Sequence, residues 1–226
     1  MLALYGMWLQ VSGDAWQRLN MAISFVAAGT VIQSTNPVVP VPTGYAAGDI
    51  LIIFITAGAA TTPTGWTLIN QWITGGPVSL FYKVASASES SVSIASSNPA
   101  TVAGMVAYRG ASGIDVKMTV SNTATGTTTV STSSITTTAT NDYVISIFIV
   151  VAGVNTWTAP ASTTTRVNSA STATFRGVLL VDELQASAGA TTVRTGTLAT
   201  SSTSSAYSFS LKESTSTNKG SFFFIM

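Results

Sequence analysis

From Met21 onward, runs of Val, Ile, Thr, Phe and Tyr are broken every few residues by Gly, Pro, Asn and Ser, and this punctuation leaves few folds open. β-branched and aromatic side chains suit a pleated surface, while Gly, Pro and Asn interrupt it at turns. The pattern predicts strands at Ile23–Ile32, Ile50–Ala57, Trp66–Ile73, Ser79–Ala85, Ser91–Ala95, Val102–Arg109 and Val116–Ser121. It predicts a second set at Thr128–Thr138, Tyr143–Val151, Arg166–Val167, Phe175–Leu184, Thr191–Thr195 and Ala206–Lys212. Apolar residues also fill many outward positions, as expected of strands covered on both faces. Past residue 20 no stretch keeps a helical apolar period over ten positions, so the expected class is all-β.

The two sets read as an internal repeat. Val38-Val39-Pro40 leads to Gly48-Asp49 and the apolar run Ile50–Ile55, and Ser134-Ile135-Thr136 leads to Asn141-Asp142 and the apolar run Tyr143–Ile149. Pro63-Thr64-Gly65-Trp66 is answered loosely by Trp157-Thr158-Ala159-Pro160. Leu80–Ala85 corresponds to Val178–Glu183, and Ala103–Arg109 to Ala206–Lys212. Four or five strands cannot bury two faces alone, so residues 21–113 and 114–213 are expected to form the two halves of one sandwich.

Composition narrows the chemistry. Only 8% of the 226 residues are charged and the net charge is +1, with no His and no Cys. Soluble domains carry about 25% charged residues, so Ser and Thr, 66 residues in all, must supply much of the surface. Thiolate and imidazole chemistry is excluded, and with it His-ligated metals, zinc fingers and the Ser-His-Asp triad. Nine scattered basic residues give no nucleic-acid footprint. No apolar run approaches the ~18 residues of a membrane-spanning helix. Near-zero net charge favours association and suits a subunit of an assembly.

The eight acids are Asp14, Asp49, Glu89, Asp115, Asp142, Asp182, Glu183 and Glu213. A close carboxylate pair would be the only route to acid–base catalysis. Asp49 and Asp142 sit before apolar strands, where an Asx turn is the expected role, and alternation sends Asp182 and Glu183 to opposite faces. No catalytic, cofactor or metal residues are therefore assigned, and stability is expected to vary little between about pH 5 and 9. Trp66, Trp72, Tyr82 and Tyr108 could form a sugar-stacking platform, but aromatics inside strands more often fill a core. Trp66, after a Pro-x-Gly turn, is expected to plug one end of the sandwich.

The ordered set Gly48-Asp49, Pro63-x-Gly65-Trp66-Thr67, Phe81-Tyr82-Lys83-x-Ala85, Glu89, Tyr108-Arg109-Gly110, Ile114-Asp115, Asn141-Asp142 and Ala188-Gly189-Ala190-Thr191 resembles a recurrent β-sandwich family among virion structural proteins of tailed bacteriophages. The likeness spans about Met21 to Glu213 and departs at residues 156–167, where a second Pro-x-Gly-Trp is missing. It implies a jelly-roll-like antiparallel sandwich and a place on a virion. The expected role is a capsid decoration, or cement, protein that binds the major capsid protein at the capsid surface, as a homotrimer by analogy. The alternative is a tail or fibre module that binds a cell-surface glycan, and a polysaccharide-degrading enzyme is a distant third.

Two segments fall outside this pattern. Residues 1–20 lack the Ser/Thr bias, and no basic residue precedes Arg18, unlike a secretory signal. An amphipathic helix, an extended arm, or residues upstream of a natural start at Met21 all fit them. After a polar linker from Ser214, the tail Gly220–Met226 carries Phe222, Phe223, Phe224 and Ile225. At ~25 cal/mol per Å2 and ~150–250 Å2 per ring, burying the three Phe is worth on the order of 10 kcal/mol gross. Trp8, Trp16, Phe222, Phe223, Phe224 and Ile225 are the expected assembly interface.

Overall fold

The computed structural model describes the backbone pairing of residues 9–11 and 15–17, and residues 22–72, 75–95, 100–151 and 153–214. Leu9–Val11 and Ala15–Gln17 form an antiparallel ladder with Gln10 opposite Trp16, the extended form of the arm. The longer strands are β1 Ser24–Ala28, β2 Ile50–Ile55, β3 Thr67–Trp72, β4 Val78–Val84, β5 Val102–Arg109, β6 Ala111–Lys117, β7 Asn122–Ser131, β8 Asp142–Val150, β9 Thr164–Ser169, β10 Gly177–Gln185 and β11 Thr195–Glu213.

Each half of the chain makes its own antiparallel sheet, and the two have one topology. The first runs β1-β5-β2-β4-β3 and the second β6-β11-β8-β10-β9. Smaller pairings repeat as well. Val38–Val39 pairs Val92–Ser93 in the first half, and Thr136–Thr137 pairs Gly189–Ala190 in the second. Ile32–Gln33 extends the first sheet beside β5, as β7 extends the second beside β11. Chain passage from one sheet to the other occurs at Gly110, whose φ of 79° supplies the reversal. The jelly-roll threading implied by the resemblance, in which successive strands change sheets, is not what these pairings describe; each sheet is filled by one continuous half.

Burial explains the doubly apolar strands. Ile50, Ile52, Phe54, Val106 and Tyr108 of the first sheet meet Ile145, Ile147, Leu180, Tyr207 and Phe209 of the second in the central core. The outer face of the first sheet, with Leu51, Ile53, Phe81 and Met105, is covered by Val39, Val41, Tyr45 and Ile94. The outer face of the second, with Phe148, Val150, Leu179 and Val181, is covered by Val130, Trp157 and Leu198. Three apolar layers thus alternate with two sheets.

β6 begins five residues ahead of the expected Val116–Ser121 strand, because it pairs from Ala111 with Glu213. The largest departure is β11, 19 residues long where Ala206–Lys212 was expected. Its second part lies in the sheet beside β8, whereas Thr195–Ser202 pairs with β7 and with Trp157–Thr158 and lays Leu198 and Gly196 over Phe148. Burial alternates there, with Gly196 and Leu198 inside and Thr195, Thr197 and Ala199 outside, but the inward Gly196 gives the sequence no apolar period to show it.

Candidate functional site

The four aromatics weighed as a stacking platform do not come together. Tyr108 is wholly buried in the central core, and Trp72 is buried with its indole N–H donating to the Gly76 carbonyl at 2.7 Å. Tyr82 packs against the same core. Trp66 lines a groove. It is half-buried on the outer face of the first sheet instead of plugging an end, because it stands at a turn beyond the strand and leans on the outer cluster. The groove, of about 750 Å3, is walled by Thr61–Thr64 and by Ser86, residues 88–93 and Ala95, and is lined chiefly by hydroxyl groups. Lys83 Nζ stands 5.8 Å from the Trp66 ring centre and 2.7 Å from Glu89 Oε2. Burial pushes the Glu89 carboxyl up, but hydrogen bonds from Lys83 and Ser86 outweigh it and hold the group below its ordinary range. The two charges cancel, which leaves a neutral, hydroxyl-rich groove with one aromatic wall.

The carboxylates separate into distinct environments. Asp49 is buried; its Oδ2 accepts from the Ala46 amide at 2.8 Å, and Arg109 grips both oxygens at 3.0 and 2.8 Å. The turn role expected for it therefore exists, with an ion pair added. Gly48 (φ 90°) and Asn141 (φ 59°) precede Asp49 and Asp142 in the same left-handed conformation, which Gly and Asn tolerate. Asp182 and Glu183 face opposite ways, as alternation requires. Glu183 meets Arg194 near the surface. Asp182 is buried and joins the sheets: its Oδ2 accepts from Tyr108 Oη of the first sheet and from Arg166 Nε of β9, both at 2.8 Å. The Arg166 guanidinium lies 4.3 Å from the Phe25 ring centre of β1. Burial raises the Asp182 carboxyl against the pull of Arg166 and Tyr108, and burial and Asp182 raise the Tyr108 phenol.

Asp142 differs from its counterpart Asp49. It is wholly buried, and Ser210 Oγ donates to its Oδ2 at 3.2 Å, while Oδ1 has no conventional donor among the described residues. Its side chain meets the carboxyl of Asp115 on β6. Burial first, and then Asp115, push the Asp142 carboxyl up to about 7. Burial also raises Asp115, but the Thr138 amide, at 2.7 Å, and the Thr138 hydroxyl outweigh it and set Asp115 below its ordinary range. Sequence reasoning named both acids but did not pair them, and it missed Thr138 and Ser210. Neither acid lines the Trp66 groove or the smaller groove over Val116–Val120 and Ser133–Thr136.

Among the described residues no group of three or more metal-binding acids occurs, and no helix is long and apolar enough to cross a membrane. Arg176 is buried without a carboxylate partner among the described residues; it donates to the Thr56 carbonyl, and desolvation lowers its pKa. Of the expected assembly residues, Trp8, Phe222, Phe223, Phe224 and Ile225 lie outside the described residues, and Trp16 is placed only by its backbone ladder. Compared with family models, with curated proteins and with solved structures, the chain has no match.

Proposed function

We propose that the chain is a structural subunit of a phage virion, a decoration protein that binds the major capsid protein on the head surface and assembles as a homotrimer. The observation that carries this reading is the completeness of the sandwich between Ser24 and Glu213. Both sheets have the same five strands in the same order within those bounds. Residues 1–20 and 220–226, rich in apolar side chains in the sequence, fall outside those bounds, and we assign them to contacts between chains, where burying large aromatic groups is most productive. The low charge and the Ser/Thr surface suit close packing with neighbours. Asp49, Glu89, Asp182 and Glu183 are held in ion pairs, and Asp115 meets Asp142, so these acids serve the fold.

Immunogold labelling of intact virions tests the location: label spread over the head supports the proposal, and label confined to the tail tip overturns it. Deleting residues 215–226 should leave the circular dichroism of the β fold intact and reduce capsid attachment. A deletion that unfolds the domain while its residual folded fraction still attaches would assign the tail to the sandwich itself.

A second reading, a tail or fibre module that binds a neutral glycan, is favoured by the Trp66 groove, because hydroxyl groups and one aromatic wall suit a sugar's polar rim and apolar face. Binding to a glycan array that disappears with Trp66→Ala would support it; an array without signal would remove it.

A further inference from the structure

The internal repeat provides a control for what Asp142 does. In the first sheet Ile50 lies opposite Tyr108, and one register step further Asp49 faces Arg109, which neutralises it with two hydrogen bonds. In the second sheet Tyr143 lies opposite Leu211, and one step further Asp142 faces Lys212. Lys212 is exposed and pulls on both acids only through space. The place taken by a guanidinium in one half is taken in the other by a second carboxyl, Asp115. Two adjoining carboxyls, one of them wholly buried, cannot both be ionised without strong repulsion. The remaining neighbours of Asp142 are neutral: Ser210 on β11 and Gln185 opposite it on β10.

Asp115 also fastens a piece of chain. Thr138 donates both its amide and its hydroxyl to Asp115, just past the Thr136–Thr137 pairing with Gly189–Ala190 that holds the preceding residues, so this one residue is tied to the edge strand β6 through that carboxylate. We propose that Asp115, Asp142 and Thr138 form a proton-locked clasp that holds Thr138, at the end of the Thr136–Thr137 pairing, against β6 in mild acid and loosens as the shared proton leaves.

The direction follows from linkage. The folded-state value of Asp142, about 7, lies above its ordinary 3.8. Its contribution to stability is thus fully present below about pH 4 and is lost as pH rises toward 7. Asp115 shifts the opposite way, which acts only below its ordinary 3.8, outside that window. The expectation of a pH-flat stability, made from the absence of His and Cys, is replaced by this one.

The test uses the full chain. A carbon-detected NMR titration of the Asp carboxyls should find one member of the pair titrating near pH 7. Between pH 5 and pH 8 about two pKa units of linkage are lost, so the thermal midpoint should fall by about 5–11 °C. The Thr138 amide, corrected for intrinsic exchange, should exchange up to roughly a hundredfold faster at pH 8 than at pH 5, equivalent to two pKa units. Asp142→Asn, which keeps an acceptor for Ser210 and adds a donor for Asp115, should remove most of the midpoint change. Normal titration of both acids below about pH 5.5, the ordinary carboxylate range, would overturn the clasp, and that measurement on the unaltered protein decides even if the variant fails to fold. Restoration of the pH 5 midpoint at pH 8 by calcium or magnesium would also overturn it, in favour of a cation site.

Discussion

The hydroxyl of Tyr108 is the most direct handle on what joins the two halves. Tyr108 is fully buried and donates at 2.8 Å to Asp182 across the central core. Tyr108→Phe keeps the ring, so its packing against Phe25, at 5.5 Å between ring centres, and against Tyr143, at 5.9 Å, persists without a cavity. What is lost is one hydrogen bond to a buried carboxylate whose Oδ1 already lacks a partner among the described residues. A hydrogen bond to a charged group is worth about 1.5–3 kcal/mol, and a neutral one about 0.5–1.5. Tyr207 provides the internal comparison, since it is equally buried and donates at 2.7 Å to a neutral acceptor, the Met118 carbonyl. At pH 8, Tyr108→Phe should lower unfolding stability by about 2 kcal/mol and Tyr207→Phe by about 1. Urea titration followed by tryptophan fluorescence measures both, with an unchanged m-value as the condition for comparing them. A loss under about 0.5 kcal/mol for Tyr108→Phe, or a larger loss for Tyr207→Phe, would refute the charged-acceptor account of the link.

Other perturbations separate the layers. A Cβ on Gly104 would collide with the Phe54 ring in the central core, so Gly104→Ala should destabilise by about 1–3 kcal/mol, read by the same titration. Trp157 is 5% exposed and packs 5.9 Å from Phe148, so Trp157→Ala should lose about 3–5 kcal/mol. Trp66→Ala should lose less than about half of that, because its ring is half-buried at the groove and leaves a smaller cavity; calorimetric midpoints of the two variants test the order.

The sheets were legible because their strands are apolar on both faces and recur in order. Gly48-Asp49 and Asn141-Asp142 marked equivalent turns, and both turned out left-handed at the first residue. The length of β11 was hidden because the inward positions of its first part are Gly196 and Leu198 among Thr and Ser, too few apolar residues to show the alternation that burial imposes. The burial of Trp157 and the partial exposure of Trp66 were also hidden, since local sequence does not say which outer face a later segment will cover. The Asp115–Asp142 pair was out of reach for a topological reason: β11 lies between β6 and β8 in the sheet, and it comes last in the chain.

Where two halves share a topology, the positions at which they differ carry more information than those at which they agree. The shared features have sufficient physical causes in the fold: left-handed turns, doubly covered strands and a buried acid at the head of the second strand. The differences do not. One half pairs that acid with Arg109 and leaves Trp66 at an open groove; the other sets it beside a second carboxyl, which disfavours its ionisation, and buries its tryptophan under β11. Neither difference is needed to close a sheet, because the opposite choice closes an equivalent sheet in the same molecule. Exchanging the solutions is therefore a discriminating experiment. Asp115→Asn with Lys212→Arg should give the second half the ion pair of the first. If the difference is structural drift, that double variant will keep both its stability and its pH response. If the proton is the working part, its midpoint at pH 8 will rise toward the value at pH 5.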